Sequence, residues 1–207
     1  MTWPATARYG LEAAPGGLGL VQDLLNTAAT SAPGSVDLLA ALDDARGWAD
    51  AATARWTAVT GQPVPPVPPV PLDAEEAGKL RALRDDLRRL ITEGAGDEPG
   101  AGPRAALPHH GTVTLRLGED GVVRLEPCGP GRRRLAALAL VAVFEAQRDG
   151  TWHRLKTCRA PRCRVAFYDR SRNNSGVWHD VKSCGNAANL RACRARRRAR
   201  EAEDGGA

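Results

Sequence analysis

Apolar residues recur at helical spacing in the first sixty residues. Segment 18–26 predicts a short helix whose inner face carries Leu20, Leu24 and Leu25. Residues 35–60 predict one helix or a broken pair, in which Ser35 caps the N-terminus and the aspartates 43–44 offer a second start. The apolar face of this stretch carries Leu38, Leu39, Leu42, Trp48 and Trp56. Residues 1–17 show no such pattern, and we expect a flexible lead-in there.

Proline interrupts the helical pattern between residues 62 and 72. Six prolines fix φ and remove hydrogen-bond donors, so this segment predicts a stiff polyproline II spacer rather than a ligand for a proline-reading partner. Residues 73–93 then predict an amphipathic helix, with Asp73 and Glu76 as a capping box. The glycine-rich stretch 94–103 that follows predicts a mobile loop.

Two alternating stretches and two further helices complete the chain. Residues 112–117 and 122–126 alternate polar and apolar side chains around a Gly-Glu-Asp-Gly turn, which predicts a β-hairpin. Residues 132–148 have an almost wholly apolar middle, which predicts the central buried helix. Residues 186–203 predict a terminal helix capped by Asn186.

Charge is unevenly distributed along the 207 residues. Segment 151–207 carries 14 basic and 5 acidic side chains, a balance of +9, whereas the remainder has 15 basic and 19 acidic, or −4. This split predicts an acidic folded body with a basic arm, and basic arms commonly contact phosphates. A GC-rich coding bias explains the amount of arginine better than it explains its placement.

Targeting and membrane signals are missing from the sequence pattern. No apolar run approaches 18 uncharged residues, which argues against a membrane span. The first residues lack the basic-then-apolar layout of a secretory signal. We therefore expect a soluble cytoplasmic protein.

Four of the five cysteines fall within 36 residues, a clustering that favours metal over disulfides in a chain without an export signal. Two short ligand pairs separated by a longer loop suit one structural Zn²⁺ with no open position for water: Cys158, Cys163, His179 and Cys184. Binding energy of about 10 kcal/mol or more would help to fold a module whose own core is small. Cys193, on the terminal helix, is the alternative to His179 as the fourth ligand.

The cysteine segment resembles the CGNR zinc finger. The resemblance rests on the run 167–173 (FYDRSRN), on a Trp directly before the third ligand, and on the Cys-Gly-Asn of 184–186. The preceding region resembles the partner domain of that family, called ABATE, through residues 23–27 (DLLNT) and the Leu-rich helix that ends at Ile91. This resemblance implies a stress-responsive transcriptional regulator with a DNA-binding finger.

The resemblance has three departures. The third ligand, usually Cys, is His179, which keeps a zinc donor but changes the charge of the site by one unit. The pair of arginines that usually precedes the Trp is Gly176-Val177. The arginine after Cys-Gly-Asn is Ala187, and the basic residue expected two positions later is Asn189. Several positions suited to phosphate contact are therefore neutral.

The basic residues that we expect to contact nucleic acid form two groups. Arg170 and Arg172 follow Asp169, which either orients one of them or only locks the long loop through hydrogen bonds. The terminal helix supplies the second group: Arg191, Arg194, Arg196, Arg197, Arg198 and Arg200. Such density favours the phosphate backbone, without sequence preference and with strong salt sensitivity, and a solvated tail is the alternative.

Taken together, the sequence predicts a mainly α fold with a small β-hairpin. An ABATE-like helical domain over 18–150 precedes a treble-clef-like zinc-knuckle module with a basic helix over 151–203. The leading function is a non-enzymatic transcriptional regulator that binds DNA through the finger and helix, while the N-terminal domain senses a ligand or self-associates, for instance as a homodimer. Two other classes stay open: an adaptor that binds an acidic protein around a purely structural zinc, and an enzyme with a pocket in the N-terminal domain.

Overall fold

The computed structural model describes residues 2–30, 34–61, 72–93, 107–161 and 163–204, except for the side chains of 192 and 199–204. These residues form the predicted mainly α fold. They contain two small antiparallel sheets, of which the predicted β-hairpin is one. The helices are α1 (Pro4–Ala7), α2 (Leu18–Asn26), α3 (Leu42–Thr60), α4 (Ala74–Glu93), α5 (Gly131–Arg148) and α6 (Asn186–Asp204). The strands are β1 (Thr112–Leu117), β2 (Val123–Cys128), β3 (Leu155–Thr157) and β4 (Ala166–Tyr168). The predicted spacer, apart from its last residue, and the predicted mobile loop lie outside the described residues.

No described helix combines the length and the apolar character needed to cross a bilayer.

Helix α2 lies at the centre of the core, and all nine of its residues are buried. Its leucines pack in one cluster with Trp48 and Trp56 of α3 and with apolar residues of α4 and α5. We predicted that α5 would be the central buried helix. The burial is confirmed for eight residues of α5, which packs beside α2. The central position belongs to α2, because all of its residues are buried whereas Phe144 of α5 is 55 % exposed. The nine-residue α2 is too short for its burial to be evident from apolar periodicity alone.

The start of α3 matches neither of the two candidate caps, because Ala41 stands at the N-cap and no side chain caps the helix. The helix begins at Leu42, with Asp43 and Asp44 in its first turn, where their charge is favourable to the helix dipole. Ser35 does not cap it, because its hydroxyl accepts a hydrogen bond from the backbone N–H of Thr30 at 2.8 Å. In the predicted capping box of α4, the Asp73 half is present: Asp73 accepts from the N–H of Glu76 at 2.7 Å. The Glu76 carboxylate instead pairs with Arg132 at 3.0 Å.

The first residues of the chain are packed into the core, and the prediction of a flexible lead-in over 1–17 is wrong. Pro4–Ala7 form α1, and Trp3 before it is only 3 % exposed. The Trp3 ring lies against α2 at Gly19, where an added Cβ would come within 2.5 Å of the indole nitrogen. A single Trp seated over a glycine leaves no periodic signal, which is why the pattern missed this contact.

A buried carboxylate joins α1, α2 and α3. Asp23 accepts hydrogen bonds from the N–H of Thr6 at 2.6 Å and from the indole N–H of Trp48 at 2.8 Å. Burial raises the pKa of Asp23, while these hydrogen bonds act in the opposite direction. The Asp of the family-like DLLNT stretch therefore has a structural role.

The predicted β-hairpin is confirmed, with β1 and β2 paired antiparallel. Alternation places Val113, Leu115 and Leu117 on the same face as their partners Pro127, Leu125 and Val123. Pro127 is buried, whereas Leu115 and Leu117 are 68 % and 69 % exposed. The hairpin thus carries an apolar face that becomes exposed toward its tip.

The second sheet, β3 with β4, belongs to the cysteine module but packs on the N-terminal domain. Leu155 and Ala166 are members of the same buried cluster as the helices. Arg88 of α4 donates to the backbone carbonyls of Leu25 and Arg164, which fixes the segment leading into β4. The N-terminal domain and the cysteine module therefore share one core.

Candidate metal centre

The first ligand pair lies in the tight connection between β3 and β4. The N–H of Cys158 donates to the carbonyl of Val165, and the N–H of Cys163 donates to Ala160, both at 2.9 Å. Arg164 then adopts a left-handed conformation with φ of 60°, which turns the chain into β4. This turn brings both thiols to the same end of the short sheet.

The second pair precedes the terminal helix. Residues Val181–Gly185 form a π-helical turn that runs directly into α6, and Asp180 caps it by accepting from the N–H groups of Lys182 and Ser183. The cap and the turn fix Cys184, with His179 just before them. The prediction that Asn186 caps α6 is wrong, because Asn186 already has helical φ and ψ.

The four predicted ligands converge. Their donor atoms all lie within 4.8 Å of one another. The His179 Nδ1 lies 3.2 Å from the sulfur of Cys163 and 3.6 Å from that of Cys184. Sulfur and nitrogen ligands of a tetrahedral zinc lie about 3.6 Å apart, given the usual Zn–S and Zn–N lengths. Cys158, Cys163, His179 and Cys184 thus form a site for one structural zinc.

Burial favours the uncharged form of these ligands. It raises the pKa of Cys163 to about 12, with neighbouring Cys158 contributing, and it also raises the pKa of Cys184. Three thiolates this close need a cation, because burial and mutual repulsion both penalise their charge. Burial lowers the pKa of His179, which favours the neutral ring that binds metal.

The structure also decides between His179 and Cys193. Among the described residues, the ligand group contains His179 and not Cys193. Cys193 is exposed on α6, about 13 Å along the helix axis from Cys184. The histidine therefore replaces the third cysteine of the family pattern as a donor.

Gly185 packs closely against the side chain of Trp178. A Cβ at this buried glycine would lie 3.1 Å from the indole ring and 3.3 Å from Val181. The Trp before the third ligand is thus held against the turn that carries the fourth ligand.

Asp169 locks the loop that joins the two ligand pairs. Its carboxylate accepts from the Lys156 ammonium at 2.7 Å and from the N–H groups of Ser171 and Gly176 at 2.9 and 2.7 Å. Burial alone would raise the pKa of Asp169, but these hydrogen bonds outweigh it and hold the pKa well below its usual range. Lys156 was missed by sequence reasoning, and no motif signal marked it.

The close packing around Asp169 explains one departure from the family pattern. A Cβ at Gly176 would come within 3.0 Å of all three atoms of the carboxylate group. A side chain there would have to displace the carboxylate or the loop. Gly176, which stands where an arginine is usual, therefore allows this chain to build the Asp169 lock.

The two predicted phosphate contacts in the loop have different surroundings. Arg170 donates to the carbonyl of Ala13 at 2.6 Å, pairs with Glu12 at 3.0 Å and stacks over the ring of Tyr168. It therefore attaches the module to the first residues of the chain. Arg172 is exposed at the surface of the loop.

Helix α6 presents its arginines to solvent. Arg191, Arg194, Arg196, Arg197 and Arg198 are all exposed, while the side chain of Arg200 lies outside the described residues. At 100° per residue, four of them fall within a 120° arc: Arg191, Arg194, Arg197 and Arg198. The structure thus brings these arginines to one face, and it places Arg170 elsewhere.

Comparisons with known proteins agree with this geometry. The model of the ABATE family, described as "Putative stress-induced transcription regulator", matches residues 18–149. The model of the CGNR zinc finger matches residues 154–197. A search of curated proteins finds no match.

Proposed function

Because the chain belongs to the ABATE family of stress-induced transcription regulators and carries a CGNR zinc finger, we propose that it regulates transcription by binding DNA through α6. The observation that carries this proposal is the row of exposed arginines on a helix that starts at a zinc ligand. The π-helical turn fixes the direction of α6 relative to the metal site.

The surroundings of α6 support a polyanionic partner. Every described side chain from Asn189 to Arg198 is exposed, so little tertiary packing stabilises this part of the helix. Its arginines repel one another, and a phosphate backbone would relieve that repulsion. The acidic residues of this helix, Glu201, Glu203 and Asp204, follow the arginines at the C-terminal end.

We propose a non-enzymatic role for the zinc. Four protein ligands complete a tetrahedral shell, whereas a catalytic zinc keeps one position for water or substrate. The ion would then stabilise the fold and orient α6.

Self-association is a second role that we propose for the N-terminal domain. It is favoured by the apolar face of the β-hairpin, where Leu115 and Leu117 are both more than two-thirds exposed. Sedimentation equilibrium of the chain and of a Leu115→Ser/Leu117→Ser variant tests this role. A homodimer that dissociates in the variant supports it, and a monomeric parent chain contradicts it.

DNA binding is tested by fluorescence anisotropy of the zinc-loaded chain on a random-sequence duplex over a series of salt concentrations. We expect binding that weakens steeply with salt. In the variant Arg191→Gln/Arg194→Gln/Arg198→Gln, the slope of log K against log salt should become shallower by about 2.7, since each lost phosphate contact removes about 0.9.

The matched control removes the same charge elsewhere: Arg116→Gln/Arg124→Gln/Arg148→Gln, at three exposed positions outside the module. This control should keep the salt slope of the parent chain. Equal losses in the two triple variants would contradict a site on α6. No binding at low salt would favour the adaptor, in which the arginines contact an acidic protein.

A further inference from the structure

A cleft of about 930 Å³ lies between α4 and the zinc module. One wall is formed by Asp85 and residues 88–92 of α4. The other is formed by residues 152–153, 155–161, 164 and 174–177 of the module. The second wall includes Cys158 and its neighbours in the knuckle. The cleft is separate from the exposed arginine face of α6.

The charged side chains that line the cleft are strongly unbalanced. Five are basic, Arg88, Arg89, Lys156, Arg159 and Arg164, and one is acidic, Asp85. Some of these charges are neutralised within the protein: Lys156 pairs with Asp169, Arg89 with Asp86, and Asp85 with Arg84. In the described part of the chain, Arg88, Arg159 and Arg164 have no carboxylate within ion-pair distance.

Arg88 is the most constrained of the three. It is only 7 % exposed, and its guanidinium donates to two backbone carbonyls, not to a carboxylate. Burial, followed by repulsion from Arg164 and Arg84, lowers the pKa of Arg88 to about 10. A bound anion would offset this concentration of positive charge, and guanidinium groups bind phosphate and carboxylate oxygens in a paired geometry.

The cleft also has an apolar part, formed by Ile91, Trp152 and Val177. Pockets that combine apolar walls with a few polar groups are typical of sites for small organic ligands. An inorganic ion alone would leave this part without a contact.

We propose that the cleft is a binding site for a small organic anion, a phosphate or carboxylate attached to a planar or apolar body. Arg159 and Arg164 bind the anionic group, and the body of the ligand lies against Trp152 and Ile91. Arg88 adds positive charge at the floor of the site.

The position of this site connects it to the zinc finger. Arg159 and Arg164 each follow a zinc ligand directly in sequence, whereas Arg88 belongs to α4. A ligand held by both walls therefore links the N-terminal domain to the knuckle and restrains the finger. This regulatory consequence rests on the DNA binding proposed above, while ligand binding itself does not.

The experiment is a titration of the ¹⁵N-labelled, zinc-loaded full chain with AMP and with benzoate at constant ionic strength, followed by ¹H–¹⁵N spectra. AMP tests a phosphate and benzoate a carboxylate, each on a planar body. We expect saturable shifts of the backbone amides of 157–160 and 175–177 with at least one probe. The variant Arg159→Gln/Arg164→Gln should bind that probe about tenfold more weakly or worse.

The matched control is Arg116→Gln/Arg148→Gln, which removes the same charge at two exposed positions outside the cleft and α6 and should leave the affinity for the probe unchanged. If the double variant in the knuckle loses its zinc, Arg159→Gln and Arg159→Lys replace it. Gln should then weaken binding more than Lys.

Absence of saturable shifts with both probes, or equal affinity in the knuckle variant and the control variant, would overturn the site. The DNA titration is read separately. Anion binding without DNA binding would support the cleft site and reject the proposed function. DNA binding without anion binding would support the proposed function and reject the cleft site.

Discussion

The side chain of Asn26 pairs with the backbone of Ala166 as a neighbouring strand would. Its amide nitrogen donates to the Ala166 carbonyl at 3.0 Å, and the Ala166 N–H donates to its amide oxygen at 2.8 Å. Asn26 is 2 % exposed and Ala166 is fully buried. One side chain of α2 thus completes the edge of β4, and it attaches the zinc module to the N-terminal domain across 140 residues of sequence.

Replacement of Asn26 by Asp tests this attachment. The carboxylate lacks the N–H donor and places a buried negative charge against the Ala166 carbonyl. We expect the free energy of unfolding to fall by about 3 kcal/mol, in the range for a broken buried polar pair. Chemical denaturation measures it.

The control for this variant is Asn189→Asp on the exposed surface of α6. It should change the free energy of unfolding by less than about 0.5 kcal/mol. Equal stabilities of the two variants would mean that the Asn26–Ala166 pair contributes nothing to docking.

Asp169→Asn should destabilise the module in a pH-dependent way. The pKa of Asp169 is lowered from its ordinary 3.8 by hydrogen bonds that include the Lys156 ammonium. Since the folded pKa lies below the unfolded one, the stabilisation is fully present above pH 3.8 and is lost as pH falls toward the folded pKa. At neutral pH the variant should lose about 2 kcal/mol, as for a charge-assisted hydrogen bond.

The measurement is the difference in free energy of unfolding between the parent chain and Asp169→Asn at a series of pH values. Loss of zinc at acid pH affects both proteins and largely cancels in this difference. The difference should be constant near neutral pH and shrink below about pH 4. A difference that grows on acidification would contradict the assignment of a lowered pKa to Asp169.

Gly19→Ala should displace Trp3 from the core. An added Cβ would approach the indole nitrogen to 2.5 Å, so either the ring or α2 must move. We expect faster proteolysis within residues 1–17 and a loss of about 2 kcal/mol from overpacking. Gly47→Ala is the matched control, because its Cβ would meet nothing within 4 Å on the exposed side of α3. It should stabilise the protein by about 0.5–1 kcal/mol through helix propensity.

The elements of the fold could be predicted where the sequence carries a repeated signal. The leucine spacing of α4, the alternation around the turn of 118–121 and the spacing of the four zinc ligands each recur within a short segment. The predicted helix of 18–26, the hairpin and the metal site are therefore all present in the structure. Periodicity was sufficient to predict the helix and the hairpin, and ligand spacing was sufficient to predict the metal site.

Contacts between distant segments could not be predicted in this way. Trp3 over Gly19, Asn26 on Ala166 and Lys156 on Asp169 each join single residues that no period relates. The wrong prediction of a flexible lead-in has the same cause, because the first residues are held by two single contacts. These are the Trp3 ring over Gly19 and the hydrogen bond from Thr6 to the Asp23 carboxylate. The contact of Arg170 with the Ala13 carbonyl belongs to the same class, since nothing in its own segment reveals that partner.

The shared core changes what loss of zinc should do. The sequence suggested that the whole module needs the ion to fold, but Leu155 and Ala166 are buried against the helices. After chelation we expect the amides of Cys163 and Cys184, which lie in the ligand turns, to lose protection from hydrogen exchange. The amide of Ala166, bonded to Asn26, should keep most of its protection. Equal loss at all three amides would show that the small sheet also depends on the ion.

The zinc site is the basis for the fold of the knuckle and for the direction of α6. Native mass spectrometry of the purified chain measures it directly. We predict one Zn²⁺ per chain in the parent protein and in Cys193→Ser, and loss of the ion in His179→Ala. A purified parent chain that carries no ion, or retention in His179→Ala with loss in Cys193→Ser, would contradict the coordination described here.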